Sequence, residues 1–240
     1  ETATYTSPMG HVTTYNTVRS TDHAKVIRTV AEPSGAATVT TTTSDGVTKI
    51  QRSDGTVETT MESPDPRFGL GTPRAGSGSV EPPGVSALNF LTSRTVTKRG
   101  DSTYDQQDDI TINGSVTHIA YDSALSTRTI TSPVGRQIVT HVDAVQRPVE
   151  IDVPGIDPVQ FSYDPQGRVI DILQGAREQT FSYRNTSDLT NGYLDTAADA
   201  LLETTAFAPD AFGRPLSQSR DGLLTAFTWD ANGNLTGVAP

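Results

Sequence analysis

A chain of 240 residues with a formal net charge of −10, a pI near 4.7 and no cysteine excludes several classes at once. It lacks the clustered Lys and Arg that a phosphate backbone or an anionic membrane surface requires. It also has no disulfide framework, thiolate metal site or cysteine nucleophile. Hydrophobic residues make up 34%, and there are 37 Thr, 20 Gly and 15 Pro. β-Branched side chains fit a pleated surface and Gly and Pro punctuate it, so this composition favours strands and turns over helices.

Residues 1–61 read as a Thr-rich hairpin region. Turn signals fall at "SPMG" (7–10), "PSG" (33–35) and the two "SDG" stretches at 44–46 and 53–55. Asp-Gly between alternating runs marks a hairpin, because Gly accepts a positive φ. Residues 62–87, "ESPDPRFGLGTPRAGSGSVEPPGVS" and its edge, are dense in Pro, Gly and Ser. They read as a long loop or linker. From Leu88 strands resume as 88–240, with Asn113-Gly114 as a further turn.

After residue 130 the sequence becomes periodic. Phe161 and Phe181 are 20 apart, as are Phe207 and Phe227. Tyr163, Tyr183, Pro209 and Trp229 follow two residues later. Asp recurs at 143, 164, 210 and 230, and four residues on stand Arg147, Arg168, Arg214 and Asn234. Within a unit Asp164 opens a type I turn, Gly167 takes the left-handed position of a G1 bulge and Arg168 closes the turn. Gly213 and Gly233 occupy the same place, and Gln146 replaces the glycine in one copy. The Asp–Arg pair is expected to be exposed. Phe161 and Tyr163 share a strand face, so neighbouring hairpins can stack an aromatic ladder with Arg168 available as its cation. The stretch 193–204, "YLDTAADALLET", fits a helix through Ala197, Ala198, Leu201 and Leu202, and fits a strand equally. A fixed period near 20 means a stacked or wound array, since one unit cannot bury its own apolar face.

These motifs resemble the Rhs/YD-repeat family of bacterial shell proteins, related to Tc toxin cocoon subunits and teneurin YD shells. "YDPQGRV", "PDAFGRPL" and "WDANGNLTGV" match its Tyr-Asp-x-x-Gly-Arg and Tyr-Asp-x-x-Gly-Asn-Leu signatures, and Tyr183-Arg184 departs by lacking the Asp. "PDPRFGLGTP" at 64–73 and "SPVGR" at 132–136 look like the segment ahead of such repeats. The resemblance implies an all-β fold, with repeated antiparallel hairpins wound as part of a large β-shell or barrel-like sheet. It implies a container or adhesion scaffold, in several members around a C-terminal toxin released by an aspartyl autoprotease. The paired protease motif is absent around Asp65 and Asp210, so no protease residue is carried over. Family shells are longer, and a chain opening on Glu1 reads as a mature product or an excised, open segment.

Other chemistry is weakly signalled. There is no GxSxG elbow, HExxH helix or phosphate-binding loop, and His11, His23, His118 and His141 are scattered. Asp105, Asp108 and Asp109, and Asp230, Asn232 and Asn234, carry calcium-type oxygens without the downstream bidentate Glu. They are read as a solvated face and a repeat turn. Sequons stand at Asn113, Asn185 and Asn234. The expectation is a non-enzymatic, secreted or cell-surface wall segment with no cofactor, metal or catalytic residue. Its partners would be the rest of the parent shell or an enclosed cargo, with self-association through strand edges. The alternatives are an extracellular module recognising carbohydrate or a cell-surface partner, and a secreted hydrolase with an acidic pair.

Overall fold

A computed structural model describes residues 1–100, 103–201 and 203–240. It divides into two compact units, residues 1–137 and 138–240. The first contains β1 (Thr2–Thr6), β2 (Val12–Arg19), β3 (Lys25–Ala31), β4 (Ala37–Thr43), β5 (Val47–Gln51), β6 (Val57–Asp65), β7 (Gly69–Glu81), β8 (Leu88–Lys98), β9 (Tyr104–Ile112), β10 (Ser115–Asp122) and β11 (Thr127–Thr131). The second contains β12 (Gln137–Val142, all but its first residue), β13 (Pro148–Asp152), β14 (Val159–Tyr163), β15 (Val169–Gln174), β16 (Arg177–Tyr183), β17 (Leu194–Ala198), β18 (Thr204–Pro209), β19 (Pro215–Arg220), β20 (Leu223–Trp229) and β21 (Leu235–Ala239). Within each unit successive strands pair antiparallel, so each is a meander of hairpins. Among the described residues there is no helix.

Neither meander has the core that a packed second layer creates. A sheet folded onto another buries one face of each strand. Here β4 and β15 are half-buried at every position, on both faces. Among the described residues Val142 is the one buried large hydrophobic side chain. The strands are therefore held mainly by ladder hydrogen bonds and by side chains lying beside one another across neighbouring strands.

The stretch 62–87 corrects the sequence reading. Most of it is strand, and at 13 residues β7 is the longest of all. Gly76 and Gly78 are strand, not loop, residues. A Cβ on Gly78 would meet the Thr59 carbonyl and stand 2.6 Å from the Phe90 ring, and one on Gly76 would strike Ser63. Phe90 is the cross-strand partner of Gly78. The ring fills the space of a missing side chain, a close approach that composition reports only as glycine. The stretch 193–204 resolves as strand: β17, a turn and the start of β18. Leu202, part of the helical reading, lies outside the described residues.

Candidate functional site

The repeat builds its site from the turn upward. In the hairpin β14–β15, the Asp164 N–H donates to the Arg168 carbonyl and the Gly167 N–H donates to the Asp164 carbonyl, both at 2.9 Å. Gly167 has φ 85°. The Asp164 carboxylate then fills the turn. One oxygen accepts the N–H groups of Gln166 (3.0 Å) and Arg168 (2.9 Å), and the other accepts Arg168 Nε–H at 2.6 Å. Burial pushes this carboxyl up, but the Arg168 N–H and guanidinium outweigh it, leaving the group below its ordinary pKa.

Other copies repeat these bonds. Asp143 holds Arg147 and Asp210 holds Arg214, each by Nε–H at 2.7 Å. At Asp230 the Asn234 amide takes the guanidinium's place at 2.9 Å. Gln146 keeps the backbone turn with φ 68° despite its side chain. At the next level the pairing register shifts once in each of five strand pairs, immediately before Val142, Tyr163, Tyr183, Pro209 and Trp229. A β-bulge re-aims the side chain it carries.

That aim links one hairpin to the next. Arg147 lies 4.4 Å over the Tyr163 ring, Arg168 lies 4.3 Å over Tyr183 and Arg214 lies 5.6 Å from Trp229. The far end of each ring also reaches back. Tyr163 Oη donates to the Pro148 carbonyl (2.6 Å), Tyr183 Oη to Val169 (2.7 Å) and Trp229 Nε1 to Pro215 (2.8 Å). Each acceptor is the residue directly after the stacking arginine. One hairpin thus offers a cation and a carbonyl, and the next supplies a ring that engages both.

The pair is less exposed than sequence suggested: 12% for the Asp164 side chain and 32% for Arg168. The reason is that the guanidinium lies on the next repeat's ring. Phe161, Phe181, Phe207 and Phe227 pair across strands with Ile172, Ala197, Gln218 and Val238. The copy lacking Asp behaves differently. The Arg184 N–H donates to Tyr193, the Gly192 N–H donates to Arg184, and Arg168 Nη1 donates to the Gly192 carbonyl at 3.0 Å. The intervening loop is tied by Asp188, whose carboxyl is lowered to about 2 by Thr190 and Thr186.

The calcium-type carboxylates are each taken up by neighbouring protein groups. Asp108 is engaged by Arg94 through two bonds, Asp105 by Arg99 and Ser123, and Asp109 by His118 at 2.7 Å. The Asp230 carboxylate is occupied by Asn232 and Asn234. His23 sits in a turn with φ 57°. Asn113 is also in a turn (φ 47°), and Asn185 is on an exposed loop.

Two groupings escaped the sequence. The first is Asp65, 5% exposed, which accepts from the Arg67 N–H (2.8 Å) and from Arg94 Nη1 (3.0 Å). The Arg67 N–H leads in lowering its pKa to about 2, helped against burial by the Arg67 and Arg94 side chains. The second is His141 with Glu150 and Asp152, brought together by cross-strand register across β12 and β13. Predicted strand pairing is the signal that could have found both.

The family comparison agrees with this architecture. The family model described as the teneurin YD-shell matches residues 3–239. No curated protein matches the chain. Among solved structures, the crystal structure of TcdB2-TccC3-Cdc42 aligns with 94% of this chain and 16% of that chain, at 9% identity and a TM-score of 0.44. The crystal structure of TcdB2-TccC3 aligns with 99% of this chain and 20% of that one, at 8% identity and a TM-score of 0.43. The chain thus spans a fifth or less of the length of either.

Proposed function

Because this chain belongs to the teneurin YD-shell family, we propose that it works as wall: a non-enzymatic segment of a secreted or cell-surface shell that encloses or scaffolds a C-terminal effector. The observation that carries this reading is the ladder itself. The Asp, Arg and ring side chains that could have supported chemistry are bonded to one another and to backbone carbonyls. In the reading, their work is to join hairpin to hairpin. The near absence of buried apolar side chains among the described residues supports it as well. Sheets with so little core are suited to a boundary between two spaces, and such a boundary needs neither a cofactor nor a reaction. The partners in this reading are the neighbouring parts of the parent shell and the cargo inside.

Sedimentation of the chain by itself tests the wall reading. Among the described residues β1 pairs only with β2 and β21 only with β20, and an unpaired strand edge recruits another. The expected result is association that rises with concentration. A compact monomer at every concentration would overturn the reading. Enclosure is tested on the parent open reading frame. A variable domain following the repeats supports a container, whereas a membrane-spanning segment supports adhesion instead.

A further inference from the structure

Away from the ladder, three metal-ligating side chains meet on β12 and β13. His141 pairs directly with Glu150, and Val139 pairs with Asp152. Alternation along a strand repeats every two residues, so His141, Glu150 and Asp152 stand on one face of this strand pair. One ligand atom from each lies within 4.8 Å of the other two. His141 Nε2 is 4.0 Å from Glu150 Oε1 and 3.8 Å from Asp152 Oδ2. Those separations are too long for hydrogen bonds. The contrast with His118 is direct, since that ring closes on Asp109 to 2.7 Å.

The carboxylate is also oriented from outside the trio. Gln160 on β14 donates its Nε2–H to Glu150 Oε2 at 2.8 Å, which leaves Oε1 on the imidazole side. Ligating carboxylates are commonly steadied by such an outer hydrogen bond. Ligands at about 2.0–2.1 Å around a tetrahedral zinc stand about 3.4 Å apart. The two imidazole–carboxylate separations then shorten by about half an ångström and the carboxylate pair by at most about 1.4 Å to complete the set. That movement is available to side chains on the surface, exposed by 41%, 30% and 47%.

This place differs from its counterparts in the repeat. The residue before the bulged position is Ser162, Ser182, Ala208 or Thr228 in the other four copies, opposite Asp171, Thr196, Ser217 and Gly237. Here it is His141 opposite Glu150. The bulged residue itself is Val142, which offers no ring to an arginine.

We infer that His141, Glu150 and Asp152 bind one divalent transition-metal ion of the zinc class, cross-linking β12 to β13 in a hairpin whose bulged residue, Val142, supplies no aromatic cross-link. One imidazole and two carboxylates suit zinc and its neighbours, with water in the open positions. Magnesium and calcium favour all-oxygen sets.

Calorimetric titration of the intact chain with zinc chloride, magnesium chloride and cobalt chloride tests this, with the visible spectrum of cobalt(II) as a second readout. The expected result is one zinc per chain, much weaker magnesium binding and a cobalt spectrum that zinc abolishes. His141→Gln and Asp152→Asn should each weaken zinc at least ~10-fold, while His118→Gln leaves it unchanged. Far-UV circular dichroism matching the parent keeps a lost site separate from a lost fold. Absence of stoichiometric zinc binding would overturn the inference. So would a zinc affinity indifferent to His141→Gln and Asp152→Asn in chains that keep the parent spectrum.

Discussion

Compare the turn at Arg52–Thr56 in the first unit with the turn at Asp164–Arg168 in the second. The backbones match. Arg52 N–H donates to Thr56 at 2.9 Å and Gly55 N–H to Arg52 at 3.0 Å, with Gly55 at φ 88°. The side chains do not. Arg52 pairs with Glu58 inside its own hairpin, and β5–β6 runs without a bulge. In the second unit the bulge aims Tyr163 backward onto Arg147, and Arg168 reaches forward to Tyr183. The hairpin itself needs little more than a residue tolerant of positive φ. The Asp–Arg–ring set is an addition that binds hairpins into a series. The first unit draws on other means, including the glycine–ring approach at Gly78 and the Asp65–Arg94–Asp108 group.

Substitutions can separate the two strategies. The largest loss is expected from Gly78→Val, where the new side chain meets Thr59 and Phe90. It should destabilise the first unit by about 3 kcal/mol, seen as faster amide exchange across β6–β8. Protection in β14–β16 that falls equally would erase the distinction between the units. Acid comes next. Asp65 has its pKa depressed to about 2, so its contribution is complete above the unfolded value near 4 and is lost as pH falls through about 2. Asp65→Asn should flatten that acid limb, and an unaltered limb would remove Asp65 from the account.

A smaller loss tests the ladder. Tyr183→Phe deletes the bond to Val169 and should cost about 1 kcal/mol in urea unfolding. Tyr15→Phe, on an exposed ring of the first unit, should change stability by less than ~0.5 kcal/mol. Equal effects would count against a special role for the ladder ring. The smallest effect has the opposite sign. Gln146→Gly relieves a side chain at φ 68° and should stabilise by roughly 0.5 kcal/mol. A loss would mean that the Gln146 side chain contributes more than its backbone strain removes.

The legible parts were those written locally. Asp164, Gly167 and Arg168 specify their turn within five residues, so its chemistry is readable in one copy and reinforced by repetition. The ladder contact is not local. Nothing in "YDPQGR" says that Arg168 belongs with Tyr183 rather than Tyr163. The bulge before each ring and the offset between hairpins decide it. Residues 62–87 resemble a loop in sequence for a related reason. A glycine in a loop and a glycine beneath Phe90 look the same until the strands are paired. The strand outcome at 194–198 was likewise set by its neighbours, since β17 lies paired between β16 and β18.

By itself the sequence determined that this protein is built of β-hairpins on a period near 20, with the Asp-x-x-Gly-Arg turn as the recurring unit. Turn preference and strand alternation act over a few residues, and those are present in the string. Only the tertiary structure decided which ring each arginine covers, why Gly78 is glycine, and that His141 stands opposite Glu150. Those depend on register, and register is a relation between strands that hydrogen bonds and bulges set once the strands lie side by side.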